Sequence, residues 1–168
     1  MPLTSVLTPY DAHWPSLYAE TAEWLRPLFG TALIDLHHVG STAVVGLSAK
    51  PEIDILAVVT DVNGVDAWVR TLAAHGFKRG GDLSPGHLFF KRNEAGVRTH
   101  KLHICTDGHP TAIQMLRFRD HLRRCPTDRD EYARLKLRLQ AENTGGIGEY
   151  LEKKAPFIDG ILNRIMDA

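Results

Sequence analysis

Hydrophobic and polar positions alternate between helical and extended periods up to residue 108 and keep a helical period beyond it. Leu17, Thr21, Trp24, Leu25 and Leu28 recur at helical spacing behind Trp14-Pro15 and stop near Gly30. A proline in a first turn costs little, because its missing N–H would have no partner there. The run Leu33 to Val39 reads as a strand ending on Gly40-Ser41, and a second strand carries Glu52, Asp54 and Leu56. After Asn63-Gly64, the positions Val65, Trp68, Val69 and Leu72 predict a helix closed by Gly76. Arg79 to Gly86 reads as a mobile loop. His87 to Lys91 and Val97 to Cys105 are a third and a fourth strand, antiparallel neighbours joined by a turn at Asn93 to Gly96.

The helical pattern then takes over. Ile113, Leu116, Phe118 and Leu122 form one helix ending near Cys125-Pro126, and Thr127 is the expected N-cap of the next, through Tyr132, Leu135, Leu137 and Leu139. Thr144-Gly145-Gly146 breaks it. A last helix carries Tyr150, Leu151, Phe157, Ile158, Ile161 and Leu162, with a kink expected at Pro156. The pattern predicts an α/β fold, a small mixed sheet flanked by helices with a C-terminal three-helix segment. The expectation is one domain over residues 1–168, with the sheet core at 1–108 and the helical tail at 109–168.

Composition narrows the partners. Lysines and arginines equal aspartates and glutamates at 20 each, so the formal net charge is zero and bulk attraction to nucleic acid or membrane is not implied. The two cysteines, Cys105 and Cys125, form no CxxC pair, which is cytosolic usage, although a single bridge stays open. No basic-then-apolar leader opens the chain and no apolar run reaches membrane length, so a cytoplasmic protein without a membrane partner is expected. The arginines from Arg117 to Arg138 are interleaved with Asp120, Asp128, Asp130 and Glu131. That mixture favours a solvated helical face over a nucleic-acid surface. Oligomeric state is left open.

The chemistry concentrates between His37 and Leu56. Side chains alternate faces along a strand, so Glu52, Asp54 and Leu56 point one way while Ile53, Ile55 and Ala57 point the other. Two carboxylates on one surface suit a hard divalent cation, which takes oxygen ligands and shares them with phosphates. The nearby Gly40-Ser41 turn offers backbone N–H groups and a hydroxyl to a phosphate chain, and Lys50 offers an ammonium. The plainer readings are an ordinary turn, an exposed lysine, and an Asp54 ion-paired with Lys50 or an arginine.

This order of glycine, serine, a gap, then carboxylate, apolar residue, carboxylate resembles the signature of the nucleotidyltransferase fold. More narrowly, HVGSTA, GL, AKP and IDIL resemble the core motif of the GrpB family, nucleotidyltransferase-like proteins of mostly unassigned activity. The resemblance extends to Pro9-Tyr10-Asp11, Trp14-Pro15, Leu88 to Lys91, Arg98-Thr99, Leu102-His103, Phe118-Arg119-Asp120, Tyr132, Leu135-Lys136, Tyr150 and Lys154. Departures are His37 for a common glutamate, Val45 for a common proline, and Glu52 where relatives often carry an apolar residue.

The resemblance implies metal-dependent nucleotidyl transfer from an NTP to a small-molecule or protein acceptor. Mg²⁺ would sit on Glu52 and Asp54, with the phosphates on Gly40, Ser41 and Lys50. Working nucleotidyltransferases add a third carboxylate from a neighbouring strand, which Val97 to Cys105 lacks. His103 is the expected replacement, as ligand or base, with His38 a second choice. The acceptor is expected between sheet and tail, near Arg119, Tyr132, Lys136, Tyr150 or Lys154. An alternative keeps the fold but builds a pocket from His38, Asp54, Arg98, His100 and His103 for acid/base chemistry on a small anionic or amino-acid-like substrate. A noncatalytic nucleotide-binding module is the remaining alternative.

Overall fold

The computed structural model describes residues 3 and 5–168. A helix α1 (Trp14–Phe29) leads into strand β1 (Leu33–Val39), which turns back into β2 (Ile53–Val59). Helix α2 (Val65–Ala74) is followed by a short β3 (Phe77–Arg79) and the hairpin β4 (His87–Glu94) and β5 (Val97–Thr106). Three helices close the chain: α3 (Pro110–Arg124), α4 (Pro126–Glu142) and α5 (Ile147–Met166). The strands form one mixed sheet in the order β1-β2-β5-β4-β3. Among the described strand pairs β2 and β5 alone run parallel, an arrangement that needs a crossover connection, here through α2, β3 and β4.

The predicted mixed sheet and three-helix tail are present, with three corrections. The stretch Phe77 to Arg79, whose Arg79 is expected in the loop and whose Phe77 and Lys78 carry no predicted element, is a fifth strand pairing with β4. The β4–β5 turn is tighter than expected, made by Ala95 and Gly96 alone, both at positive φ (48° and 81°), the backbone that matches strand twist. The N-cap of α4 is Cys125, with Pro126 rather than Thr127 opening the helix. As expected, one helix, α5, runs through Pro156. Both cysteines are free.

Alternation along the strands divides the fold into two sides. Ile53, Ile55, Ala57 and Val59 of β2, with Leu102 and Ile104 of β5 and Leu88 and Phe90 of β4, pack under α1 and α2 with Trp14, Leu25, Phe29 and Trp68. The intervening residues Leu56, Val58 and Cys105 meet Ala112 and Met115 of α3 in a smaller cluster. The interior strand β2 is thus apolar on both faces, except at its start, where Asp54 enters on the α3 side. A third cluster, around Leu47, Leu122, Tyr132 and Ile161, ties the connector between β1 and β2 to the helical tail.

Candidate functional site

The site begins at the end of β1. The chain turns there into a single 3₁₀ turn, Ser41–Ala43, and Gly40 adopts φ 75° and ψ −174°, a conformation that side chains oppose. Val39 is paired with Asp54 across β1 and β2, which brings the Asp54 carboxylate under Gly40. A Cβ at Gly40 would stand 2.9 Å from Asp54 Cγ. Glycine is therefore required twice, by the backbone and by the acid beneath it.

The parallel register of β2 and β5 sets Lys101 directly beside Asp54. Lys101 Nζ lies 2.7 Å from Glu52 Oε2 and 3.8 Å from Asp54 Oδ1. Glu52 is 6% exposed and also accepts a hydrogen bond from Ser5 Oγ at 2.9 Å. Burial alone would raise its carboxyl, but the Lys101 charge and the hydrogen bonds from Lys101 and Ser5 hold it below the ordinary carboxylate range. Asp54 goes the other way: burial outweighs Lys101 and lifts it above that range. The Asp54 charge in turn holds the Lys101 ammonium above its usual value, against its own burial.

The helical tail brings in further cations. Lys136 of α4 is only 3% exposed. Its Nζ donates to Ser41 Oγ at 2.9 Å and to Ser48 O at 2.6 Å, and it stands 4.7 Å from the Tyr132 ring centroid. Burial, assisted by Lys154, lowers it to about 7. Lys154 of α5 is lowered to about 8, by burial first and then by Lys101. The Tyr150 ring centroid is 4.8 Å from Lys50 Nζ and 5.3 Å from Lys154 Nζ, a use of the negative ring face.

These groups line a recess of about 90 Å³. Beside it lies a cavity of about 500 Å³ between the sheet and the helical tail, and Ser41, Asp54, Lys101 and Lys154 border both. Apolar side chains, among them Phe89, Met115, Phe118 and Ile158, form much of the larger wall. One polar end and one apolar chamber suit an amphipathic anion of nucleotide size.

Magnesium is the metal expected at Glu52 and Asp54, and these residues do not fit it. The ammonium of Lys101 already stands between the two carboxylates. Glu52 is engaged by Ser5 as well, and Lys50, Lys136 and Lys154 line the same recess. A hard divalent ion needs several free oxygens and is repelled by neighbouring cations.

The fold brings together Gly40, Ser41, Lys50, Glu52 and Asp54, and delivers Arg119, Tyr132 and Lys154 to the larger cavity. His103 borders that cavity but sits one pleat beyond Asp54, in register with Leu56. Its Nδ1 is 2.9 Å from His87 Nε2, and burial, then His87, lowers it to about 3, too low for a base near neutral pH. Arg98 and His100 are not part of the site. His100 lies on the α1 side of the sheet, with Nε2 3.2 Å from Thr21 Oγ1, and Arg98 donates to Asn93 Oδ1 beside the hairpin turn. His38 also faces α1, stacked on Tyr18 and 2.9 Å from Thr42 Oγ1. The sheet separates His38 and His100 from Asp54, and Arg98 lies by the hairpin turn outside the lining of both cavities, so the pocket of His38, Asp54, Arg98, His100 and His103 does not form. On α3, Arg119 and Arg123 donate to the carbonyls of His38 and Ala43. They fasten the connector rather than forming a free basic strip.

The sequence profile of the GrpB protein family matches residues 4–164. The chain belongs to the GrpB family. A UPF0157 protein of Halalkalibacterium halodurans is 37% identical over 161 residues, covering 94% of this chain and 80% of that protein. The UPF0157 protein YqkA of Bacillus subtilis is 33% identical over 150 residues, which is 89% of this chain but 43% of YqkA. A dephospho-CoA kinase of Mycolicibacterium paratuberculosis is 27% identical, and the match takes in 96% of this chain and 46% of that enzyme. The chain thus spans less than half of these last two proteins. The crystal structure of GrpB from Enterococcus faecalis superposes with a TM-score of 0.85 at 27% identity, covering 96% of this chain and 99% of that one.

Within this GrpB-family chain, Lys101 is the site residue that sequence reasoning passed over. It was legible only as a strand residue sharing a face with His103, because the β2–β5 register that makes it Asp54's neighbour is fixed by long-range pairing. Lys136 and Lys154 were marked by the family resemblance, without a sign that both are drawn into the same recess.

No described helix is long and apolar enough to cross a membrane.

Proposed function

We propose that this protein binds a nucleotide in the cleft between sheet and helical tail and transfers its nucleotidyl group to an acceptor hydroxyl. The phosphates rest on the Gly40-Ser41 corner, held by Lys136, Lys154 and Lys50, and the base and ribose occupy the larger, partly apolar chamber. The acceptor oxygen forms a bond to the α-phosphorus as the bond to the pyrophosphate leaving group breaks. The hydroxyl proton passes to Asp54, whose raised pKa makes its carboxylate a better base than an ordinary aspartate. The ammonium groups of Lys136 and Lys154 meet the charge that grows on pyrophosphate.

One observation carries the reading. The Lys136 ammonium, from a helix distant in sequence, is buried in the polar recess against the Ser41 hydroxyl at 2.9 Å, and Ser41 and Asp54 in turn border the adjoining cavity of nucleotide size. A buried lysine is expensive unless an anion or a strong acceptor repays it. Relatives named as dephospho-CoA kinases, of which the match takes in less than half, add dephospho-CoA to the ligands to try.

The test is thermal stability with ATP, GTP, CTP, UTP and dephospho-CoA, followed by pyrophosphate release with candidate acceptors. At least one nucleotide is expected to raise Tm. Ser41→Ala and Lys136→Met, each compared with its own ligand-free Tm, are expected to remove the rise. Silence with all five compounds rejects the reading. A second reading, nucleotide binding without transfer, is favoured by the tie of Lys101 to both carboxylates, and a shift that never leads to pyrophosphate release selects it.

A further inference from the structure

We infer that Lys101 serves as the built-in cation of this site and that the anionic ligand is bound there without a divalent metal ion. This rests on the nucleotide-binding reading and adds what neutralises the charge. The first observation is position. A third carboxylate for Asp54 would have to come from the neighbouring strand, and the residue of β5 paired with Asp54 is a lysine. Its Nζ lies within 4 Å of both carboxylates, at 2.7 Å from Glu52 and 3.8 Å from Asp54, the region a shared metal ion would need.

The second observation is the charge around the recess. Glu52 and Asp54 face Lys50, Lys101, Lys136 and Lys154 in one cavity wall. A divalent ion entering there meets four ammonium groups and two acids that are already engaged. A phosphate entering there is attracted by the same lysines, and each needs it more as burial weakens its hydration. The third is the closure of the other side: Gly40 lies against Asp54 with no room for a Cβ, so the carboxylate cannot swing away from Lys101 in that direction. Glu52 and Asp54 therefore hold the Lys101 ammonium in place, and Lys101 presents to the ligand the positive charge that a metal would otherwise supply. Anion binding should also draw protons onto Lys136 and Lys154, whose pKa values near neutrality leave room for uptake.

The experiment measures binding of pyrophosphate and ATP by calorimetry, once in EDTA and once in excess Mg²⁺. Binding is expected in EDTA, and to weaken with Mg²⁺, which competes for the phosphates in solution. Lys101→Gln should weaken binding in EDTA at least tenfold. Lys101→Asp, which supplies the third carboxylate, should lose metal-free binding and gain bound Mn²⁺ by electron paramagnetic resonance. Binding only in the presence of Mg²⁺, or stoichiometric Mn²⁺ on the unmodified protein, overturns the inference while leaving nucleotide binding intact. Undiminished binding by Lys101→Gln in EDTA overturns it as well. If neither anion binds under either condition, the nucleotide reading itself falls and takes this one with it. Lys101→Gln keeps the test decisive should Lys101→Asp fail to fold.

Discussion

The two faces of the sheet are built from the same strands and serve opposite ends. Toward α1 and α2, alternate residues of β1, β2, β4 and β5 meet aromatic side chains of the helices in a sealed core. Even its histidines are spent on structure: His38 and His100 are both 8% exposed, and burial lowers each to about 4. Toward α3, α4 and α5 the in-between residues start with Asp54, Lys101 and His103, and the helices stand off far enough to leave a cavity of about 500 Å³. Stability is concentrated on the first face, which allows charge and open space on the second. A domain of this size can carry so costly a set of buried charges only because a separate core supports it.

The comparison can be broken most severely by emptying the sealed face. Leu102→Ala, at a position with no exposure, is expected to cost ~2–5 kcal/mol in urea denaturation. Phe89→Ala, on the cavity side of the adjacent strand, should cost clearly less than truncation of Phe90 on the sealed side. Equal losses at Phe89 and Phe90 would show that the cavity face is as tightly packed as the core.

Gly40→Ala comes next. The positive φ and the collision with Asp54 should cost about 1–3 kcal/mol, and nucleotide binding should drop even under conditions where the variant is fully folded. Retained binding would detach the corner from the site.

Acid should expose the sealed face through its histidines. His38 and His100 at about 4 bind fewer protons folded than unfolded between that value and the ordinary 6.5. Stability therefore rises with pH across that window and is lost as pH falls from 6.5 toward 4. A Tm decrease on the order of 5 °C or more between pH 7 and pH 4.5 is expected, partly relieved by His100→Gln. A flat profile would mean that these rings are solvated.

The cavity face should respond in the opposite range. Lys136 and Lys154, lowered to about 7 and about 8, lose protons as pH rises, so affinity for pyrophosphate should fall by roughly tenfold between pH 6.5 and pH 9, about one ionisation's worth. The smallest effect is expected at Arg98. Outside the lining of both cavities and hydrogen-bonded to Asn93 near the hairpin turn, it should change stability by under ~0.5 kcal/mol on replacement by alanine and leave nucleotide binding unaltered.

Much of this was legible in the residues. The helix over Trp14–Phe29, the strand pair around Gly40-Ser41, the hairpin and the helical tail follow from local period and turn chemistry. The corner itself was legible because its parts lie within one short stretch of chain. Beyond that stretch the reading was right about faces and wrong about neighbours. Arg98 and His100 were put near Asp54 because both lie on the strand beside it, yet strand alternation turns His100 toward α1. The short strand Phe77–Arg79 has too few residues to show a period of its own.

What the sequence determined alone is the local geometry: which segments are helical or extended, which residues share a face, and that a glycine, a serine and two acids lie within one short stretch of chain. Those properties depend on backbone sterics and side-chain period, which act over a few residues. Only the tertiary structure decided that Lys101 would become the partner of both acids, that Lys136 would be buried against Ser41, and that the space above them would stay open. Each of these depends on the register of non-neighbouring strands and the packing of distant helices, where energies are set by burial and charge across the whole fold.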